Sequence, residues 1–189
     1  MDLRGFRHVI LDRDGVLNSE AEDSGYVRDP AEFHWLPGAL DGLAILRRAG
    51  LYLSVATNQA GVGRGLVSLE QLAAIHARMQ AEASAHGGAL DAVLVCPHAH
   101  EAQCACRKPA PGLIQEALAR SGIAARASLV VGDDPRDLEA ARRAGVAAAL
   151  VRTGKGRQTE QLPRAAGVPV YDDLLQLARA LAAGRPSVQ

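Results

Sequence analysis

Asp12 and Asp14 stand one residue apart at the end of the run His8-Val-Ile-Leu11, and Gly15 follows them. An apolar run of that length reads as a buried parallel strand. The two carboxylates then lie just past its C-terminal end, where open α/β sheets keep their ligand sites. Carboxylates at i and i+2 can share a Mg²⁺ ion and still do different work, one as a nucleophile and one as a proton carrier. A solvated turn is the plain alternative, since Asp and Gly are ordinary turn residues. The rest of the chain weighs against it.

Two other strand-like segments also end in polar groups. Thr57, Asn58 and Gln59 follow the second segment, ahead of the glycine-rich stretch Gly61-Val-Gly-Arg-Gly65. Gly132, Asp133, Asp134 and Asp137 follow the fourth. With the first strand central and the second and fourth on either side, all three sets converge on one crevice at a topological switch point. Arg107 and Lys108, ahead of a helix near Pro111, add two cations. Oxygen-only ligation by such carboxylates favours Mg²⁺ over zinc. Thr57 and Lys108 suit the equatorial oxygens of a phosphoryl group. The chemistry implied is phosphoryl transfer to water.

A second metal set lies in the stretch 96–106, which reads Cys-Pro-His-Ala-His-Glu-Ala-Gln-Cys-Ala-Cys and holds all three cysteines. Cys96, His98, Cys104 and Cys106 make a Cys₃His set of the kind that binds structural zinc. His100 is a rival for the histidine position. Four protein ligands leave no open position, so the ion is structural. Its task is to fix the loop that delivers Arg107 and Lys108.

These groups need a scaffold, and the chain alternates strand-like and helix-like segments. Strands are expected at 9–11, 51–56, 92–95, 129–131 and 148–151. Helices are expected at 39–49, 69–85, 111–121, 135–144 and 172–182. Ser68 with Gln71 has the form of a capping box, and Gly50, Gly87, Gly122 and Gly145 sit where helices end. This alternation predicts a parallel sheet covered on both faces. Residues 18–37 are polar and lack a clear element, and 184–189 read as a frayed tail. At 189 residues, 48% hydrophobic and 22% charged, the chain fits one globular domain. A formal net charge of zero offers no field for nucleic acid or membrane. No apolar stretch is long enough for a bilayer, and the first residues do not form a signal peptide. A cytoplasmic protein is expected, as a monomer. Only Lys108 and Lys155 are lysines.

Asp12-x-Asp14-Gly15, Thr57-Asn58, Lys108 and Gly132-Asp133 with Asp137 resemble the four motifs of the haloacid dehalogenase superfamily of phosphatases. The resemblance implies a Rossmann-like three-layer α/β/α sandwich with sheet order 5-4-1-2-3, spanning 1–189; family members often carry a cap domain, for which the stretches after Asp14 and Thr57 are too short here. It implies an aspartyl-phosphate mechanism with Asp12 as nucleophile and Asp14 as general acid and base. Thr57 and Lys108 hold the phosphoryl group. Asp12, the Asp14 carbonyl and Asp133 bind Mg²⁺, with Asp134 or Asp137 in support. The zinc loop followed by Arg-Lys-Pro resembles two groups within the superfamily, one acting on a heptose bisphosphate and the other on histidinol phosphate. The stretches DRDGVLN from Asp12, TNQAGVGRG from Thr57 and VRTGK from Val151 resemble the heptose group. That resemblance places sugar contacts at Asp23, Ser24, Gly25 and Tyr26, at Asn58, Gln59 and Ala60, and at Arg107. A small phosphorylated sugar is the expected partner. A second phosphate needs a distal anion site, for which Arg64, Arg107, Arg152 and Lys155 are candidates. Histidinol phosphate would instead use acids such as Glu20, Glu22 and Asp23. Three features depart from the heptose pattern: a longer segment before Gly25, a short zinc loop, and Asp134 where a basic residue is common.

Overall fold

Five apolar runs become strands β1 (His8–Leu11), β2 (Tyr52–Asn58), β3 (Ala92–Cys96), β4 (Ser128–Gly132) and β5 (Ala147–Val151). These are the contents of a computed structural model that describes residues 5–20 and 25–183. A two-residue strand, β6 (Val170–Tyr171), pairs in parallel with β5. The sheet order is β3-β2-β1-β4-β5-β6. The expected order 5-4-1-2-3 is present and is extended by this edge strand.

Helices α1 (Ala39–Arg48), α2 (Ala60–Gly63), α3 (Leu69–Ala85), α4 (Gly112–Ser121), α5 (Pro135–Ala144), α6 (Gly156–Thr159) and α7 (Leu174–Ala182) cover the sheet. The pleat explains the layers. Val9 and Leu11 of β1 join the core built with Leu43, Leu46, Ile75, Met79 and Leu177 from α1, α3 and α7. Ile10, between them, joins the opposite core with Leu113, Ile114, Ala140 and Ala141 of α4 and α5. A strand buried on both faces has no polar alternation, which is why β1 reads as a continuous apolar run.

Local signals fix the helix ends. At α3 the Ser68 hydroxyl accepts from Gln71 N, and Gln71 Oε1 accepts from Ser68 N. Asp134 and Asp137 form the same reciprocal cap on α5, with Pro135 opening the first turn. Residues 25–37 carry one short 3₁₀ turn, Pro30–Glu32, yet the segment is well anchored. Phe33 and Val27 enter the core. Phe33 meets Trp35 edge to face at 5.1 Å, and Trp35 Nε1 donates to Glu82 of α3 at 2.6 Å. Asp23, Ser24, Glu22 and the expected tail at 184–189 lie outside the described residues.

A buried polar cluster sits far from the carboxylates. His8 Nε2 lies 2.7 Å from Ser54 Oγ, and Ser121 Oγ is 3.2 Å from His8 Nδ1. Burial lowers the His8 pKa to about 4, against the pull of Asp91. A histidine neutral in the fold but free to charge when unfolded makes the unfolded chain the stronger proton binder between these values. Its contribution is whole above pH 6.5 and is lost as pH falls toward about 4. Urea unfolding should show stability dropping across that window. In His8→Asn the slope should be shallower by up to about one proton, roughly 1.4 kcal/mol per pH unit.

Candidate active site

The C-terminal ends of β1, β2 and β4 open onto one cleft of about 350 Å³. Asp12, Asp14, Thr57, Lys108, Asp133 and Asp137, read from four separate segments, all line it. At its floor the Lys108 ammonium sits 2.9 Å from Asp12 Oδ1 and 2.6 Å from Asp137 Oδ1, and its side chain is only 3% exposed. Burial works against the Lys108 charge, but these two carboxylates outweigh it and raise its pKa, so it stays a cation. The Lys108 backbone is tied to the end of β2. Asn58 Nδ2 donates to Lys108 O and Lys108 N donates to Asn58 Oδ1, both at 3.0 Å.

One ammonium does not balance the carboxylates around it. Oxygens of Asp12, Asp133 and Asp137 lie within 4.8 Å of one another. Burial pushes Asp12 up to about 7 despite Lys108, with Asp137 adding to the rise. Burial and Asp12 push Asp133 to about 8. Such a surplus of hard oxygen donors fits a divalent cation of the Mg²⁺ type. Asp137 has both oxygens engaged, one by Lys108 and the other by Asp134 N. Asp12 and Asp133 are therefore the carboxylates placed to ligate directly, with Asp137 beside them.

Asp133 is held by a turn after β5. Lys155 N donates to Asp133 Oδ2 at 2.7 Å, and Thr153 Oγ1 donates to the Gly15 carbonyl at 2.6 Å. Between them Gly154 has φ +54°, and a Cβ there would fall 2.2 Å from Asp133 Oδ2 and 2.6 Å from Gly15 Cα. Only glycine allows this approach.

Asp14 has a different environment. Arg13 Nη2 donates to its Oδ1 at 2.8 Å, Asn18 Nδ2 to Oδ1 at 2.9 Å, and Gln59 Nε2 to Oδ2 at 2.8 Å. Burial would raise its pKa, but Arg13 and these donors more than offset it, and Asp14 is held ionised. Gln59 also donates to Thr57 Oγ1 at 2.8 Å, joining two expected residues.

Gly25, Tyr26, Asn58, Gln59, Ala60, Arg64, Arg107 and Lys155 line the same cleft. Arg64 Nη1 donates to the Tyr26 hydroxyl at 2.7 Å. Of the distal-anion candidates, Arg64, Arg107 and Lys155 line the cleft, while Arg152 is outside its lining and pairs with Glu160 and Asp172. The Asp134 carboxylate caps α5, pairs with Arg136 at 2.7 Å and lines the same cleft, where its charge helps raise the pKa of Asp133. Arg136, unforeseen, joins the cleft wall through that pair. Arg13 and Thr153 were also missed. An arginine beside two aspartates carries no sequence signal that it will be buried.

The zinc-loop residues gather beside Lys108. Cys96 Sγ is 3.6 Å from Cys104 Sγ, and Cys104 Sγ is 3.4 Å from Cys106 Sγ. His98 Nδ1 lies 3.3 Å from Cys106 Sγ and 3.7 Å from Cys96 Sγ. A tetrahedron with metal–sulfur bonds of about 2.3 Å has edges of about 3.8 Å, so the four ligand atoms fit one ion. His100 lies in a separate 3₁₀ turn, outside this cluster.

Residues 105–177 match the family described as HAD-hydrolase-like. The chain is 42% identical over 176 residues to D-glycero-beta-D-manno-heptose-1,7-bisphosphate 7-phosphatase of Bordetella bronchiseptica, across 92% of this chain and 96% of that protein. The chain belongs to the HAD-like phosphatases. It is 43% identical over 141 residues to D-glycero-alpha-D-manno-heptose-1,7-bisphosphate 7-phosphatase of Mycobacterium tuberculosis, across 74% of each. A crystal structure of D,D-heptose 1,7-bisphosphate phosphatase from B. bronchiseptica, complexed with magnesium and phosphate, is similar at TM-score 0.88 and 40% identity. It covers 94% of this chain and 99% of that one. As a HAD-like phosphatase the protein is a phosphoric monoester hydrolase. Among the described residues no helix is long and apolar enough to cross a membrane.

The turn around Asp133 makes a test of how tightly this phosphatase must hold that carboxylate. Gly154→Ala should leave the circular dichroism spectrum and cooperative unfolding in place. Phosphate release should fall by about a hundredfold, the usual cost of displacing a reacting group by about 1 Å.

Proposed function

We propose that the protein hydrolyses the 7-phosphate of D-glycero-D-manno-heptose 1,7-bisphosphate, in the synthesis of an ADP- or GDP-heptose precursor. The observation that carries this reading is a buried Asp12–Lys108 pair at the floor of a cleft whose wall adds Arg64, Arg107, Arg136 and Lys155. One phosphate needs the floor, and a second needs cations farther out. The similarity to heptose bisphosphate phosphatases over nearly the whole chain supports the same substrate.

In this reading Asp12 and Asp133, with the Asp14 carbonyl, hold Mg²⁺. Mg²⁺, when bound, offsets the repulsion between the Asp12 carboxylate and the incoming phosphate. Asp12 attacks phosphorus in line. The bond from phosphorus to the sugar oxygen breaks, and that oxygen takes the proton of Asp14. Asp14 then draws a proton from water, whose oxygen attacks the aspartyl-phosphate and releases inorganic phosphate and the Asp12 carboxylate. Asp14 is ionised at rest, which suits the second step. For the first it must gain a proton, and the negative charge of an arriving phosphate raises its pKa in that direction. Thr57 and Lys108 bind the phosphoryl oxygens, and Asp137 keeps Lys108 in place. Tyr26, Asn58, Ala60 and Arg107 face the sugar. Cys96, His98, Cys104 and Cys106 hold a structural zinc that fixes the approach to Arg107 and Lys108.

Histidinol phosphate, the other substrate suggested by the zinc loop, presents an ammonium and requires an acid to receive it. Glu20 lines the cleft and pairs with Lys155, and Glu22 and Asp23 lie outside the described residues. The similarity to heptose bisphosphate phosphatases over nearly the whole chain favours the heptose substrate.

Phosphate release should favour heptose 1,7-bisphosphate over histidinol phosphate by about a hundredfold in kcat/KM, or roughly 2.7 kcal/mol. The reverse preference would overturn the substrate assignment. Asp12→Asn should abolish turnover with the fold intact, and substantial residual activity would overturn the mechanism. Elemental analysis should find one zinc per chain. Chelation or Cys104→Ser should lower the unfolding temperature along with activity, because binding energy at such a site is folding energy.

A further inference from the structure

Arg13 is among the largest fully buried side chains, at 1% exposure, and none of the steps above uses it. Its Nε and Nη2 face Asp14, at 3.3 Å and 2.8 Å from Oδ1. Its other terminal nitrogen, Nη1, lies 3.0 Å from Nε2 of His76, a residue on the buried face of α3. A guanidinium only donates, so Nε2 must be the acceptor there and the ring carries its proton on Nδ1. The environment agrees: burial first, then Arg13, lowers the His76 pKa to about 4. Leu72, Ile75, Met79 and Ala83 fill the rest of this face. A histidine in that row supplies the far end of the guanidinium with an acceptor while the near end grips a carboxylate.

We propose that His76 is a positioning residue for phosphoryl transfer: by accepting from Arg13 it fixes the guanidinium that holds Asp14 where it meets the leaving oxygen. The inference rests on the aspartyl-phosphate reading and on Asp14 as its acid. In the first step a bond forms between Asp12 and phosphorus and the bond from phosphorus to the ester oxygen breaks. That oxygen departs with the electron pair and takes the proton of Asp14. Asp14 is left as a carboxylate, the form that the Arg13 fork binds. Without His76 the guanidinium can turn toward other acceptors, and Asp14 turns with it.

A residue that merely packs affects all substrates alike. A residue that places the acid affects esters in proportion to their need for a proton. The experiment compares kcat/KM for heptose 1,7-bisphosphate, whose alkoxide needs protonation, with para-nitrophenyl phosphate, whose phenolate does not. His76→Leu should lower the heptose ester about tenfold or more and leave the aryl ester within about threefold, a part of the usual general-acid contribution. His76→Gln, whose amide oxygen reaches about as far as Nε2, should keep both near wild type. His76→Asn, polar but too short, should repeat the leucine result and serves if the leucine variant does not fold. Equal losses on both esters, or none on either, would overturn the proposal. Asp14→Asn is measured alongside. If it discriminates between the esters and His76→Leu does not, the proposal alone fails. If Asp14→Asn does not discriminate, the assignment of Asp14 fails and the proposal falls with it.

Discussion

The ammonium of Lys108 is the contact on which the rest of the cleft depends. It is buried, and it joins Asp12 at the end of β1 to Asp137 in the first turn of α5. It arrives on a loop that is tied to β2 through Asn58 and directly follows the cysteine cluster. Three separate chain segments thus meet at one nitrogen. A buried ion pair is weak evidence for stability, but removing one partner leaves a charge uncompensated in a site that cannot solvate it. Lys108 therefore sets how closely the acids can pack, and the remaining carboxylate surplus sets the demand for a cation.

The cleft wall repeats the pattern on a looser scale. Arg136 is held by Asp134, and Lys155 by Glu20. Each cation is oriented by an acid that a stronger anion can displace. Such pairs balance the charge of each wall cation while keeping it at the cleft. Arginine suits the outer positions because its fork can meet two phosphate oxygens at once.

Much of this was legible in the sequence, for physical reasons that differ by element. The limits of α3 follow from Ser68 and Gln71, and those of α5 from Asp134, Pro135 and Gly145, because caps are local chemistry. The strands were legible because burial on both faces leaves an unbroken apolar run. β6 has two residues and no room for a period. The one-turn helices α2 and α6 are set by their surroundings and carry no apolar stripe. In the 25–37 segment, Val27, Phe33 and Trp35 are spaced without helical or strand rhythm, so their anchoring is tertiary. The acids and the cysteine set were legible through spacing. What each acid touches was not. Asp134 and Asp137 are three residues apart on one turn, and only the fold sends one to Arg136 and the other to Lys108. Arg13 likewise meets His76, which lies 63 positions away.

The chain has two lysines, Lys108 and Lys155, and both line the cleft. Elsewhere its positive charge is arginine, which acylating reagents leave alone. Every side-chain amine of the protein is therefore found at one place. Lysine acylation, which decorates most proteins at many points, is steered here by composition toward a single mouth. Lys155, with 44% of its side chain exposed, is the accessible one, and Lys108, at 3%, is buried. A label attached through a side-chain amine would sit at the cleft and leave the arginine-charged surface as it was.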